Sequence, residues 1–187
     1  NIEGLKDIAN IAAICDVDDN YLALAAKQFP KAKKYNDWRR MLEQKDLDAV
    51  VVSTADHCHA IVSIAAMKTG RHVYCEKPAA HNVYEARMMA QVAAETKVAT
   101  QLGTQIHAEN NYRRVVELLQ TGAIGPVREA HCWNFKSKTG EVPSGNPPVP
   151  PHLHWDLWLG PAPEKPYHPN YHPANWRNYW HFGGGTL

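Results

Sequence analysis

Short apolar runs alternate with helical patterns between residues 11 and 102, the signature of strand–helix–strand units laid into a parallel sheet. Residues 11–16 read as a strand that ends on Asp16. Asp18 or Asp19 can cap the helix that follows to about Phe29, in which Ala23, Ala25 and Ala26 favour helix and Pro30 stops it. A short strand at 32–35 and an Asp37-capped helix to about Lys45 come next. Residues 49–53, Ala-Val-Val-Val-Ser, are apolar without alternation, which predicts a central strand with no wet face. A helix over 59–69 closes at Gly70, a strand occupies 72–75, and Asn82 with Glu85 three positions on forms a capping-box pattern for a helix to about Thr96. Residues 98–102 supply one more strand.

Beyond that point the pattern changes. A helix over 110–121 closes at Gly122, and Gly125-Pro126 leads into a longer, more amphipathic strand predicted at 127–135. Residues 136–178 are rich in Pro, His, Trp and Tyr, and 143–151 hold five prolines, which excludes regular helix and central strand there. Two units are expected, 1–105 and 106–187, and both chain ends look cut.

Composition narrows the function classes. With 187 residues, 44% hydrophobic and 21% charged, the chain has a globular make-up. A net charge of +1 and no basic patch interleaved with aromatics argue against a nucleic-acid partner. No apolar stretch approaches the roughly 18 residues that span a bilayer, so no membrane partner is expected. Cys15, Cys58, Cys75 and Cys132 are widely spaced without a C-x-x-C pair and read as reduced, mostly buried thiols. Because the chain starts at Asn1, the compartment stays open between cytoplasm and, after a lost export signal, periplasm.

Candidate chemistry gathers where the strands end. The run His72-Val73-Tyr74-Cys75 stops at Glu76-Lys77-Pro78, delivering a lysine and a carboxylate where open α/β sheets place their chemistry. Pro78 biases Lys77 away from helical geometry. Asp16 ends its own strand, where an acid in a dinucleotide-binding sheet accepts hydrogen bonds from the adenosine ribose. No arginine follows among Val17, Asp18 and Asp19, which favours NAD over NADP. Ser53, Thr54, His57 and His59 lie in the turn after the central strand, a place suited to phosphate or nicotinamide contacts. No metal is expected: His57-x-His59 lacks a third partner, and His152, His154, His168 and His172 are irregularly spaced beside prolines.

In order, Asp16, the turn 54–59, Glu76-Lys77-Pro78, Gly103-Thr104-Gln105 and Gly122-x-x-Gly125-x-Val127 resemble the Gfo/Idh/MocA oxidoreductases over nearly the whole chain. The resemblance implies an α/β fold: a partial Rossmann doubly wound parallel sheet, then the start of an α/β domain with an open, mainly antiparallel sheet that pairs protomers into a homo-oligomer. It implies that Lys77 is catalytic, approaching the nicotinamide and the reacting hydroxyl. It also implies that Asp16, Ser53, Thr54, His57, His59, Glu76, Lys77, Pro78 and Gln105 line the NAD site. Trp176 and Arg177 could meet a sugar-like substrate, since an aromatic face covers C–H surface and a guanidinium forks hydroxyl or carboxylate oxygens. The expected function is NAD-dependent hydride transfer on a sugar, cyclitol or sugar-derived alcohol. Alternatives are an NAD-dependent glycosidase or lyase acting through a transient 3-keto sugar, and a non-catalytic NAD-binding or assembly protein. Ala55 and Asp56 depart from the family's Thr-Pro-Asn turn. The family's Gly-rich loop and an Asp and His beyond a Gly-Gly-Gly segment are expected outside residues 1–187, so these residues alone are expected to be inactive.

Overall fold

A computed structural model describes residues 2–105, 107, 109–133 and 143–185. A short helix α1 (Ile2–Leu5) precedes β1 (Ala13–Cys15), α2 (Asp19–Gln28), β2 (Lys33–Tyr35) and α3 (Trp38–Met41). Then come β3 (Ala49–Val52), α4 (Asp56–Lys68), β4 (His72–Glu76), α5 (Val83–Thr96) and β5 (Thr100–Gly103). Helix α6 (Asn110–Gln120), helix α7 (Trp155–Leu159) and a 3-10 turn (Asn175–Asn178) complete the described elements.

Among the described residues the paired strands are all parallel, as alternating strands and helices require. Strands β1 and β2 pair in one sheet, and β3, β4 and β5 form a second in that order, with Val52 opposite Cys75 and Cys75 opposite Leu102. Caps set the helix starts: Asp18 Oδ1 accepts from Asn20 N, Asp37 Oδ1 from Arg39 N, and Asn82 Oδ1 from Glu85 N. The capping box of α5 is displaced by one residue, because Glu85 Oε2 takes the backbone N–H of His81.

The core lies where α4 and α5 cover one face of the second sheet. Val50, Val52, Val73 and Cys75 pack there against Val62, Ala66, Met67 and Val92. The opposite face differs from the expectation of a strand without a wet side. Val51 and Tyr74 are each 38% exposed, because no described element lies over them. Residues 127–133 also depart from the predicted strand, forming no strand and remaining exposed, while 134–135 lie outside the described residues. A single strand without a hydrogen-bonding neighbour has no ladder to stabilise it.

A second, aromatic core forms from the loop-rich region. Leu153, Trp155, Trp158, Leu159, Tyr167, Tyr171, Trp176 and Phe182 are buried together, with Val17 and Ala55 against them. Backbone bonds seat this cluster on the first unit: Asp19 N donates to His152 O and His154 N to Val17 O, each at 2.9 Å. Burying such large rings contributes about 1.5–3 kcal/mol each, which explains how a proline-rich region with little regular structure holds its shape. Among the described residues no helix is long and apolar enough to cross a membrane.

Candidate active site at the carboxyl ends of the strands

Parallel register brings the ends of β3, β4 and β5 to one edge, so Ser53, Thr54, Glu76 and Gln105 follow strands that point the same way, while Asp16 ends β1 in the other sheet. Ser53, Thr54, Lys77, Pro78 and Gln105 are exposed there, and Asp16 and Glu76 are half-buried. Gly103 belongs to the construction. A Cβ at that position would lie 2.8 Å from the Tyr74 hydroxyl and 2.9 Å from Glu76 Oε1, so the bare backbone lets both side chains fold over the end of β5.

Asp16 shapes the turn after β1. Its Oδ1 accepts from Asp18 N at 2.9 Å, and its carbonyl accepts from Asn36 Nδ2 at 3.0 Å. Burial lifts the Asp16 carboxyl above its ordinary value, an effect the Asp18 N–H opposes.

His59 ties the lysine turn to the helix. Its Nδ1 lies 2.6 Å from Pro78 O and its Nε2 lies 3.0 Å from Thr54 O. Both partners are carbonyl oxygens, which accept and cannot donate, so the ring satisfies both only with a proton on each nitrogen. Burial disfavours that charged ring, but the Cys75 sulfur and the Pro78 and Thr54 carbonyls outweigh it and hold the pKa up at about 9. The imidazolium thus fixes Lys77-Pro78, joined by a cis peptide, against the start of α4.

His57 has the opposite state. Its Nε2 lies 3.0 Å from Trp158 O, and its Nδ1 lies 3.3 Å from Phe182 O, a carbonyl that already accepts the His57 backbone N–H. Burial pushes this ring's pKa down, so one N–H, on Nε2 toward the nearer carbonyl, suffices. Both His59 nitrogens and His57 Nε2 are taken by protein carbonyls. Trp176, expected to face substrate, is 6% exposed inside the aromatic core, while exposed Arg177 places its guanidinium carbon 4.0 Å over that ring.

Asp56 was absent from the expected site residues. It begins α4, is 2% exposed, and leaves Oδ1 buried without a hydrogen-bond partner. Burial raises its pKa, opposed by Arg177, His59, His81 and Lys77. An acid directly after an apolar strand and turn was its only signal in the sequence. No group of His, Cys, Asp and Glu able to hold a metal occurs among the described residues.

Residues 2–104 match the family model described as "Oxidoreductase family, NAD-binding Rossmann fold", and 110–187 match the corresponding C-terminal alpha/beta domain. A myo-inositol 2-dehydrogenase of Thermotoga maritima is 30% identical over 66% of this chain and 37% of its own length. A levoglucosan dehydrogenase of Pseudarthrobacter phenanthrenivorans is 28% identical over 61% of this chain and 29% of its own. Among solved structures, the WlbA dehydrogenase of Bordetella pertussis in complex with NADH and UDP-GlcNAcA superposes with a TM-score of 0.58 at 27% identity, covering 62% of this chain and 36% of that one. The chain thus spans well under half the length of these relatives. It belongs to the Gfo/Idh/MocA family of oxidoreductases, carrying that family's NAD-binding Rossmann unit and sequence of its C-terminal domain.

Proposed function

We propose that the protein containing this chain is an NAD-dependent dehydrogenase of a sugar or cyclitol, with Lys77 receiving the proton of the reacting hydroxyl. The observation that carries the reading is the His59 clamp, which holds an exposed lysine at the carboxyl ends of parallel strands. The names of the relatives, inositol and levoglucosan dehydrogenases, support the substrate class.

The residues present fit the cofactor. Asp16 spends Oδ1 on Asp18 N, and its carboxylate at the end of β1 suits a ribose hydroxyl. Its charge, with Asp18 and Asp19 beside it, disfavours the 2′-phosphate of NADP. Exposed Ser53 and Thr54 and the positive end of α4 suit the cofactor's polar groups. Bound NAD supplies a hydride acceptor. With its amine neutral, Lys77 can then take the hydroxyl proton, Gln105 can orient the substrate from the end of β5, and Glu76 can balance the charge of the ammonium that results. His57 and His59 serve by holding the walls of the site, through His57 Nε2 on Trp158 O and the two His59 nitrogens on Pro78 O and Thr54 O.

Helix α6 leaves Val115, Val116, Leu118 and Leu119 exposed, and Trp133 is 78% exposed. That apolar surface suits a homo-oligomer contact. Purified full-length protein supplied with NAD and a panel of inositols and hexoses is expected to accumulate NADH with at least one of them. No NADH from a panel that includes myo-inositol and levoglucosan, despite bound NAD, would overturn the reading.

A further inference from the structure

The loop-rich region meets the Rossmann unit at the turn that carries Asp16. Leu153 forms an antiparallel bridge with Asp18, flanked by the backbone bonds from Asp19 N to His152 O and from His154 N to Val17 O, each 2.9 Å. Asp18 lies beneath this bridge and is 3% exposed. Its Oδ1 caps α2 through Asn20 N at 2.8 Å, and its Oδ2 lies 3.7 Å from His152 Nε2 and 3.8 Å from His172 Nε2. Its backbone N–H donates to Asp16 Oδ1 at 2.9 Å. One residue thus touches the loop-rich region with its side chain and the candidate ribose acid with its backbone.

Asp16, Asp18 and Asp19 place three carboxylates within four positions, and like charges so close repel unless donors hold them. The loop-rich region supplies such donors. His152 and His172 both turn Nε2 to Asp18, an oxygen that only accepts, so each ring faces it with the proton on that nitrogen. At these distances the N–H acts as an aligned dipole and not as a close hydrogen bond. Burial lowers the His172 pKa against the pull of Asp18, which keeps that ring neutral. The ring is wedged edge-on to Trp158 and against Tyr21, with centroids 6.2 and 6.3 Å away. His154 Nε2 lies 3.4 Å from Asp19 Oδ1, which also accepts from Asn36 Nδ2 at 2.7 Å, and the same Nδ2 reaches Asp16 O at 3.0 Å. The acids of the turn are thereby set before a ligand arrives. A turn left free would have to be ordered at the expense of binding energy.

We infer that Asp18 is a positioning residue for the cofactor: Leu153, His152 and His172 of the docked loop-rich region fix Asp18, and the Asp18 N–H aims the Asp16 carboxylate at the adenosine ribose. NAD affinity and docking of residues 150–185 are then coupled, and each strengthens the other by the same factor. This rests on the reading of Asp16 as the ribose acid, and the test separates the two.

Full-length protein is titrated with NAD by calorimetry as a double-mutant cycle. The pair His152→Phe with His172→Phe keeps the ring volume and removes the N–H groups that face Asp18. It is expected to weaken NAD binding by about fivefold or more. Asp16→Ala should weaken NAD binding by itself, and in that background the histidine pair should cost less than about twofold, because its effect ends at Asp16. If the double histidine variant does not fold, Asp18→Asn takes its place in the cycle, since asparagine keeps the cap and the backbone N–H and removes the charge. The parent protein gives a second reading without substitution: saturating NAD should slow amide hydrogen exchange in peptides containing His154 by about threefold or more. Unchanged NAD affinity in the histidine variant overturns the inference, even where its melting temperature falls, because the contact is then structural alone. An equal cost in the Asp16→Ala background, or exchange that NAD does not slow, overturns it as well. If Asp16→Ala leaves NAD affinity unchanged, the ribose reading fails and the inference with it; if Asp16→Ala weakens NAD binding and the histidine pair does not, the inference alone fails.

Discussion

His57 and His59 stand two positions apart on one helix and carry opposite charge states, because one faces carbonyls inside an aromatic core and the other bridges two turns at its edge. For His59 the folded pKa, about 9, lies above its ordinary 6.5, so its contribution to stability is fully present below about pH 6.5 and is lost as pH rises through about 9. The melting temperature is therefore expected to fall between pH 7 and 9.5 more steeply than in His59→Gln; parallel curves for the two proteins would refute the clamp. Burial pushes the Cys15 and Cys58 thiols up to about 12, whereas Cys132 is exposed. Alkylation at pH 8 followed by peptide mapping should label Cys132 first and leave Cys58 unlabelled until the protein unfolds. At this scale the places of Lys77 and Asp16 just past strand ends were legible, since the apolar runs stop before them. The roles of Asp56, His57 and His59 were not. Whether an imidazole meets a ligand or a carbonyl depends on segments such as Phe182 that lie far away in sequence.

Element boundaries followed local chemistry closely where caps were present. Asp18, Asp37 and Asn82 all cap as their residue types suggested. Asn82→Ala should cost about 1 kcal/mol in denaturant unfolding. Gly103→Ala is expected to cost about 1–3 kcal/mol, because the new methyl meets the Tyr74 hydroxyl at 2.8 Å and Glu76 Oε1 at 2.9 Å and so displaces the pair beside Lys77. Unchanged unfolding midpoints would contradict either statement. The apolar run of β3 predicted burial on both faces, yet Val51 is half in water. A run of valines records what a strand can bury, and the covering element is a property of the rest of the fold. The same reasoning applies to 127–133, amphipathic enough for a strand but without a described neighbour to pair with.

Across the whole molecule, the loop-rich region is attached to the Rossmann unit by its rings. Phe182 is fully buried between His57, Trp158 and Tyr171. Phe182→Ala should cost about 3–5 kcal/mol and open residues 150–185 to limited proteolysis before the parallel sheet unfolds. Simultaneous loss of both would show that they form one cooperative unit. The parallel sheet was readable from alternating patterns alone, but the aromatic core was not, since its members are spread over an irregular chain with no period. That core matters for the site because Trp158 O and Phe182 O meet the His57 ring in the first turn of α4. NADH formation by full-length protein and its Lys77→Ala variant, each supplied with NAD and the best substrate of the panel, is the most direct test. The variant is expected to bind NAD as before and to lose turnover by about a hundredfold to ten-thousandfold. Turnover within about threefold of the parent would contradict the role given to Lys77 and the site built around it.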